Sequence, residues 1–199
     1  FPYTTLFRSS LTWLEAMDDG DPRKSVPHRD RVLNLAAPFD SAPVELTKTE
    51  QRCTGIQWGE TDGLALVWDY DRDRRWTRTF RINTEQLDST PTLMWERSVN
   101  DRYADPGTPM HRLLPNGQSV IWQHDTYLYL RSAGATPKGD RPFLDRYNLA
   151  TGEKIRLFSC EDQSYETVVA LLTDDATQFL TQRESQIDPP NVYLHAAGR

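Results

Sequence analysis

Helical periodicity is missing from this sequence, and that constrains the fold more than any other feature. No stretch of about 12 residues sustains the i, i+3, i+4, i+7 apolar spacing of an amphipathic helix. Short alternating or β-rich runs recur instead: Leu64–Trp68, Thr77–Ile82, Ser119–Trp122, Thr126–Leu130 and Glu166–Leu172. Turn residues punctuate them at Asp62-Gly63, Asn116-Gly117, Thr151-Gly152 and Asp174-Asp175. Short strands between turn signals specify an all-β chain. With 37% hydrophobic residues, and Trp, Tyr and Phe at 6, 8 and 7, the chain can fill a core. A disordered chain would be poorer in such residues.

The strands repeat. Phe143–Phe158 reads as strand, tight Ala-Thr-Gly turn, strand, with Gly152 supplying the left-handed conformation the turn needs. Val192–Gly198 is a comparable unit, with Gly198 in the place of Gly152. Copies without the glycine are Arg31–Leu35 followed by Val44–Leu46, and Arg78–Ile82 followed by Thr92–Trp95. The anchors Leu35, Ile82, Leu149 and His195 lie 47, 67 and 46 residues apart, the long interval holding the loop Arg131–Asp140. A period near 50 with four strands per repeat marks a β-propeller. The expected fold is a partial β-propeller of about three to four four-stranded blades. They are read as 11–49 (partial), 53–98, 109–159 and 167–199 (partial). So few blades leave open sheet faces, and this stretch alone is expected to fold poorly.

Residues 1–9, Phe-Pro-Tyr-Thr-Thr-Leu-Phe-Arg-Ser, read as the translation of a widely used sequencing adapter. They are set aside from the fold as an artefactual leader, leaving 10–199 as an incomplete propeller domain. The net charge of −6 argues against a nucleic-acid partner. The longest apolar runs are five residues, against roughly 20 for a membrane span. Cys53 and Cys160 are 107 residues apart and form no C-x-x-C pair; two buried thiols are expected rather than a disulfide. The skew of 19 Arg to 4 Lys reads as codon bias.

Several stretches carry a resemblance: Trp13–Pro22, Arg29-Asp30 leading to Ala37-Pro-Phe39, Thr54–Gly59, Asp105–Pro109, Gly134–Asp145, Tyr165–Leu172, and Glu184-Ser185 before Pro189-Pro-Asn191. Together they resemble the propeller domain of the prolyl oligopeptidase family of serine peptidases, in its glutamyl-endopeptidase-like branch. The resemblance implies a seven-bladed propeller capping a C-terminal α/β-hydrolase domain, whose Ser-Asp-His triad carries its serine on a Gly-x-Ser-x-Gly elbow. The partners it implies are peptide substrates and that catalytic domain in cis. No cofactor is called for. It leaves the compartment open, with a periplasmic or secreted setting favoured over a cytoplasmic one. No Gly-x-Ser-x-Gly occurs in the 199 residues; the nearest approach, Gly117-Gln-Ser119, is followed two residues on by Ile121 and lies in a hairpin. The stretch is therefore expected to gate a catalytic domain rather than to cleave peptides. The alternatives are a stand-alone binding propeller and a propeller enzyme with acids or histidines clustered on its inner strands.

Two groups are candidate site residues. Arg72, Arg74, Arg75 and Arg78 are interleaved with Asp69, Asp71 and Asp73. They read either as a self-paired, solvated loop or as a cationic patch steering acidic peptides. Asp105 and Gly107, in the loop Asn100–Pro109, and Gly134, Lys138 and Asp140, in the loop Arg131–Pro142, are expected on one face, where they could meet the catalytic domain. Other motifs fail. Asp69-x-Asp71-x-Asp73 opens like an EF-hand loop, but Arg74 stands for its glycine and Phe80 for its glutamate. Gly134–Gly139 lacks the Lys-Ser/Thr of a phosphate loop. His28, His111, His124 and His195 show no metal-ligand spacing.

Overall fold

In a computed structural model the described residues are 10–61 and 63–196; residues 1–9, read above as an artefactual leader, and Gly198 lie outside them. All regular structure among them is β-strand, as the missing helical period requires. No helix is long and apolar enough to cross a membrane. The residues cluster into two compact units, 10–57 with 63–96, and 58–61 with 97–196.

The first unit holds two antiparallel meanders. One is β1 (Ser10–Ala16), β2 (Asp30–Ala36) and β3 (Val44–Thr49); the other is β4 (Arg52–Trp58), β5 (Leu64–Asp71), β6 (Trp76–Asn83) and β7 (Thr92–Ser98). Ala65, Leu66 and Val67 are each 0% exposed. Three buried residues in a row, rather than alternate ones, mean that both faces of β5 are covered. Val32, Leu33, Leu46 and Ile82 complete this core.

Buried carboxylates pin the unit together. Asp18, 0% exposed, accepts from Arg52 Nη2 at 2.6 Å, Arg29 Nη1 at 2.9 Å and the Gly20 amide at 3.0 Å. Arg52, opening β4, also pairs with Asp30 of β2, which accepts from the Cys53 amide at 2.6 Å. Burial pushes the Asp18 carboxyl up, but the hydrogen bonds from Arg52, Gly20 and Arg29 outweigh it and hold the group below 3.8. A carboxylate depressed on folding stabilises the fold above its unfolded pKa. That stabilisation is lost as pH falls through the folded value. Acid titration followed by tryptophan fluorescence should therefore show stability falling below about pH 4. The fall should be less steep in Asp18→Asn; equal slopes would remove Asp18 from the account.

In the second unit the third sheet runs β11 (Gln123–His124), β12 (Tyr127–Ser132), β15 (Phe143–Asn148), β16 (Lys154–Ser159), with β8 (Thr108–Pro109) also pairing β12. Its first strand is thus split into β8 and β11. A hairpin of β9 (His111–Leu113) and β10 (Ser119–Ile121) intervenes. The fourth sheet is β17 (Tyr165–Leu171), β18 (Gln178–Glu184), β19 (Asn191–Ala196). Met110, Tyr129, Leu144, Val168, Leu171, Ala176 and Phe179 form the core between these two sheets. Burial pushes the Tyr129 phenol up to about 12. The fold is all-β, built mainly of consecutive antiparallel sheets of three to five strands. Leu11 and Leu14 on β1, and Val192 and Leu194 on β19, stay 43–63% exposed.

Candidate functional site

Strand direction gathers the long loops of the second unit at one end. β12 ends, β15 begins, β16 ends, β17 begins, β18 ends and β19 begins there. Segments 99–107, 133–142, 160–164 and 185–190 therefore share a face.

Ion pairs lace these loops together. Asp105 accepts from Arg97 Nη2 at 3.3 Å, Ser132 Oγ at 2.9 Å and the Gly107 amide at 3.2 Å. Gly107 has φ +96°, and a Cβ there would stand 3.0 Å from the Arg131 carbonyl oxygen, so the turn after Asp105-Pro106 requires glycine. Arg102 reaches Asp140 at 3.0 and 3.2 Å, joining the first loop to the second. Arg141 pairs with Asp162, joining the second to the third. The sequence reading takes 131–140 as an open loop. Instead Arg131 and Ser132 extend β12, and a small hairpin follows, β13 (Ala135–Thr136) with β14 (Gly139–Asp140). The Arg141 amide donates to the Gly134 carbonyl at 2.7 Å and closes its base. Of the candidates expected on this face, Asp105, Gly107, Gly134 and Asp140 enter one network. Lys138 sits at the hairpin tip, its amide donating to Thr136 Oγ1 at 3.1 Å.

Two hollows open here. A cleft of about 990 Å³ is walled by Arg141, Asp162, Tyr165, Arg183, Ile187 and Tyr193 among others. Arg183 stacks on the Tyr193 ring at 3.9 Å, and Ile187 is 89% exposed. A groove of about 430 Å³ lies between the third and fourth sheets, lined by Asp105, Arg131, Phe143, Tyr165, Val168 and Val169 among others. Sequence reasoning missed Arg97, Arg102, Arg131, Ser132, Arg141 and Asp162. Only the Asp-Pro-Gly and Gly-Ala-Thr-Pro turns flagged the neighbourhood.

The arginine cluster lies in the first unit. Arg72, Arg74 and Arg75 are exposed in the β5–β6 turn, where Asp71 Oδ1 accepts the amides of Asp73 and Arg74 at 3.0 Å. Arg78 differs: on β6 it holds buried Asp69 at 2.9 and 2.5 Å and Glu50 at 2.8 Å, which raise its pKa. Asp69 and Asp71 therefore serve different local structures and do not converge. Among the described residues no group of three or more His, Cys, Asp or Glu could hold a metal ion.

Cys53 and Cys160 are buried free thiols. His195 Nε2 lies 2.9 Å from Glu166 Oε1 and 3.0 Å from Thr181 Oγ1, its ring stacked on Phe179. A nucleophile relay needs the acid and the hydroxyl on different imidazole nitrogens. Here both oxygens face the same one, so the cluster braces the fourth sheet rather than activating Thr181.

No family model matches the chain. A rice protein (Oryza sativa subsp. japonica), named "Probable glutamyl endopeptidase, chloroplastic", is 36% identical over 200 residues, covering 92% of this chain and 21% of that protein. Its namesake in Arabidopsis thaliana is 37% identical over 189 residues, covering 90% and 20%. The chain thus spans about one fifth of the length of these curated relatives. Among solved structures, the β-propeller domain of the Trilobed protease from Pyrococcus furiosus matches at 11% identity and TM-score 0.47, covering 96% of this chain and 52% of that one. At 36% and 37% identity over nine-tenths of its length, the chain is similar to about one fifth of two plant proteins named probable glutamyl endopeptidases, the branch that its sequence motifs resemble.

Proposed function

We propose that the chain is the part of a peptidase propeller that limits which peptides reach a serine-type catalytic domain elsewhere in the parent protein. The observation that carries this reading is the similarity over nine-tenths of the chain to proteins named glutamyl endopeptidases, of which it forms only a fifth. The absence of a Gly-x-Ser-x-Gly elbow from the 199 residues supports it. The face bearing loops 99–107 and 133–142 turns toward the catalytic domain, because its ion pairs present a fixed relief that a second domain can fit. The exposed Arg72, Arg74 and Arg75 are secondary candidates for attracting acidic peptides. Arg78 is not one of them, since Asp69 and Glu50 already neutralise it.

Hydrogen exchange on the full-length parent and on its isolated propeller tests the contact. Amides of 99–107 and 133–142 should exchange at least about tenfold more slowly in the parent. Equal protection in both would sink the docking of this face. The chain alone should leave Glu-containing peptides uncut.

A further inference from the structure

We propose that the groove between the third and fourth sheets binds an extended peptide through an acidic side chain, and that Arg131 is the residue that selects the carboxylate. The ligand class rests on the reading of the parent as a peptidase; the site rests on its own geometry.

Three observations converge on this groove. First, its charge is unmatched. Arg131 Nη1 donates to the Val168 carbonyl at 3.0 Å, which fixes the guanidinium in the groove. Among the described residues no carboxylate pairs with it. Asp105, lining the same groove, is already taken by Arg97, Ser132 and the Gly107 amide. An arginine fork with free donors fits a planar carboxylate in a charge-assisted geometry. Second, the groove is half apolar. Phe143 and Val168 are 8% and 3% exposed, whereas Tyr165 and Val169 remain about 40% exposed. An aromatic and an aliphatic side chain thus stand ready beside the cation to cover a peptide backbone. Third, β17 is an outer strand of its sheet, and among the described residues it pairs only with β18. Tyr165, Thr167, Val168 and Val169 of this strand line the groove, and extended peptides add to the edges of such outer strands through main-chain hydrogen bonds, here at positions other than the Val168 carbonyl that Arg131 holds.

Nothing in the sequence singles Arg131 out among 19 arginines. Its neighbours in the groove come from 26 residues before it and 37 after it, at Asp105 and Val168.

The test uses two fluorescein-labelled, Thr/Val-rich heptapeptides, identical except for a central Glu or Gln, binding to the 199-residue chain by fluorescence anisotropy. The Glu peptide should bind about tenfold or more tightly than the Gln peptide, and added salt should narrow the gap. Arg131→Gln should bring the ratio to about one, and Arg131→Lys should restore part of it. Arg23→Gln, whose side chain is 88% exposed in the first unit, should leave the ratio unchanged. Equal affinity of the wild-type chain for both peptides would overturn the proposal, and so would a ratio that survives Arg131→Gln. A cooperative thermal transition first establishes that the wild-type chain is folded; where it shows none, the same two peptides and variants are compared on the parent protein with its peptidase activity blocked by a serine-directed phosphonate. No arm uses catalysis, so a parent protein without peptidase activity would refute the gating function and leave the groove standing, and the reverse.

Discussion

Asp69→Ala lowers the stability of the first unit by about 3–5 kcal/mol, the cost of leaving one partner of a buried ion pair uncompensated. Asp69 is fully buried on β5 and stands directly opposite Arg78 of β6. Its two oxygens take two guanidinium nitrogens at 2.9 and 2.5 Å, and the Gln51 amide at 3.3 Å. Truncation strands an arginine whose side chain is only 19% exposed, leaving it with Glu50, whose side chain is 63% exposed. An exposed pair would lose only about 0–1 kcal/mol, so the two cases are easily separated. Replacing both partners by apolar residues of similar volume, Asp69→Leu with Arg78→Met, should recover most of the loss, because no charge is then left buried. Urea unfolding measures both variants. A loss under about 1 kcal/mol for Asp69→Ala would mean that the pair behaves as a surface pair.

The same pair shows what the sequence could and could not disclose. Runs such as Leu64–Trp68 and turns such as Asn116-Gly117 are local signals, and local signals suffice to place strands and to exclude helices. The roles of charged residues are not local. Arg78 reads with Arg72, Arg74 and Arg75 as one cationic cluster, yet strand alternation and a cross-strand aspartate put it inside the sheet while the other three stay in water. Asp145 and Arg156 repeat the arrangement in the third sheet, cross-strand partners eleven residues apart in sequence. On the loop face the decisive partners are remote: Ser132 is 27 residues from Asp105, and Arg102 is 38 from Asp140. Asp105, Gly107, Gly134 and Asp140 could be suspected from their turn motifs, because turns need particular residues at particular offsets. Arg131 could not, because its significance lies in the lack of a carboxylate partner, which only the folded chain defines.

Gly134→Ala should cost about 2–4 kcal/mol, combining left-handed strain with a backbone clash, and should dismantle the loop face without touching a charged group. Gly134 has φ +62°, and a Cβ on it would lie 1.9 Å from the Arg141 carbonyl oxygen and 2.7 Å from its carbon. That obstacle is backbone, and the Arg141 amide is bonded to the Gly134 carbonyl at 2.7 Å, so the two strands cannot part without opening the hairpin. Opening it moves Asp140 from Arg102 and Arg141 from Asp162, and it displaces Pro142 and Phe143 at the lip of the groove. Gly117→Ala is the matched control. Gly117 has φ +83° but nothing within 4 Å of an added Cβ, so only the strain term of about 1–2 kcal/mol applies. Thermal unfolding should rank Gly134→Ala below Gly117→Ala. Hydrogen exchange should show the Arg141 amide losing protection only in the former. If the groove reads acidic side chains as proposed, Gly134→Ala also loses the Glu-over-Gln peptide preference while Gly117→Ala keeps it. Equal melting of the two variants would mean that the hairpin base yields freely, and the face would then be a set of independent loops rather than one laced surface.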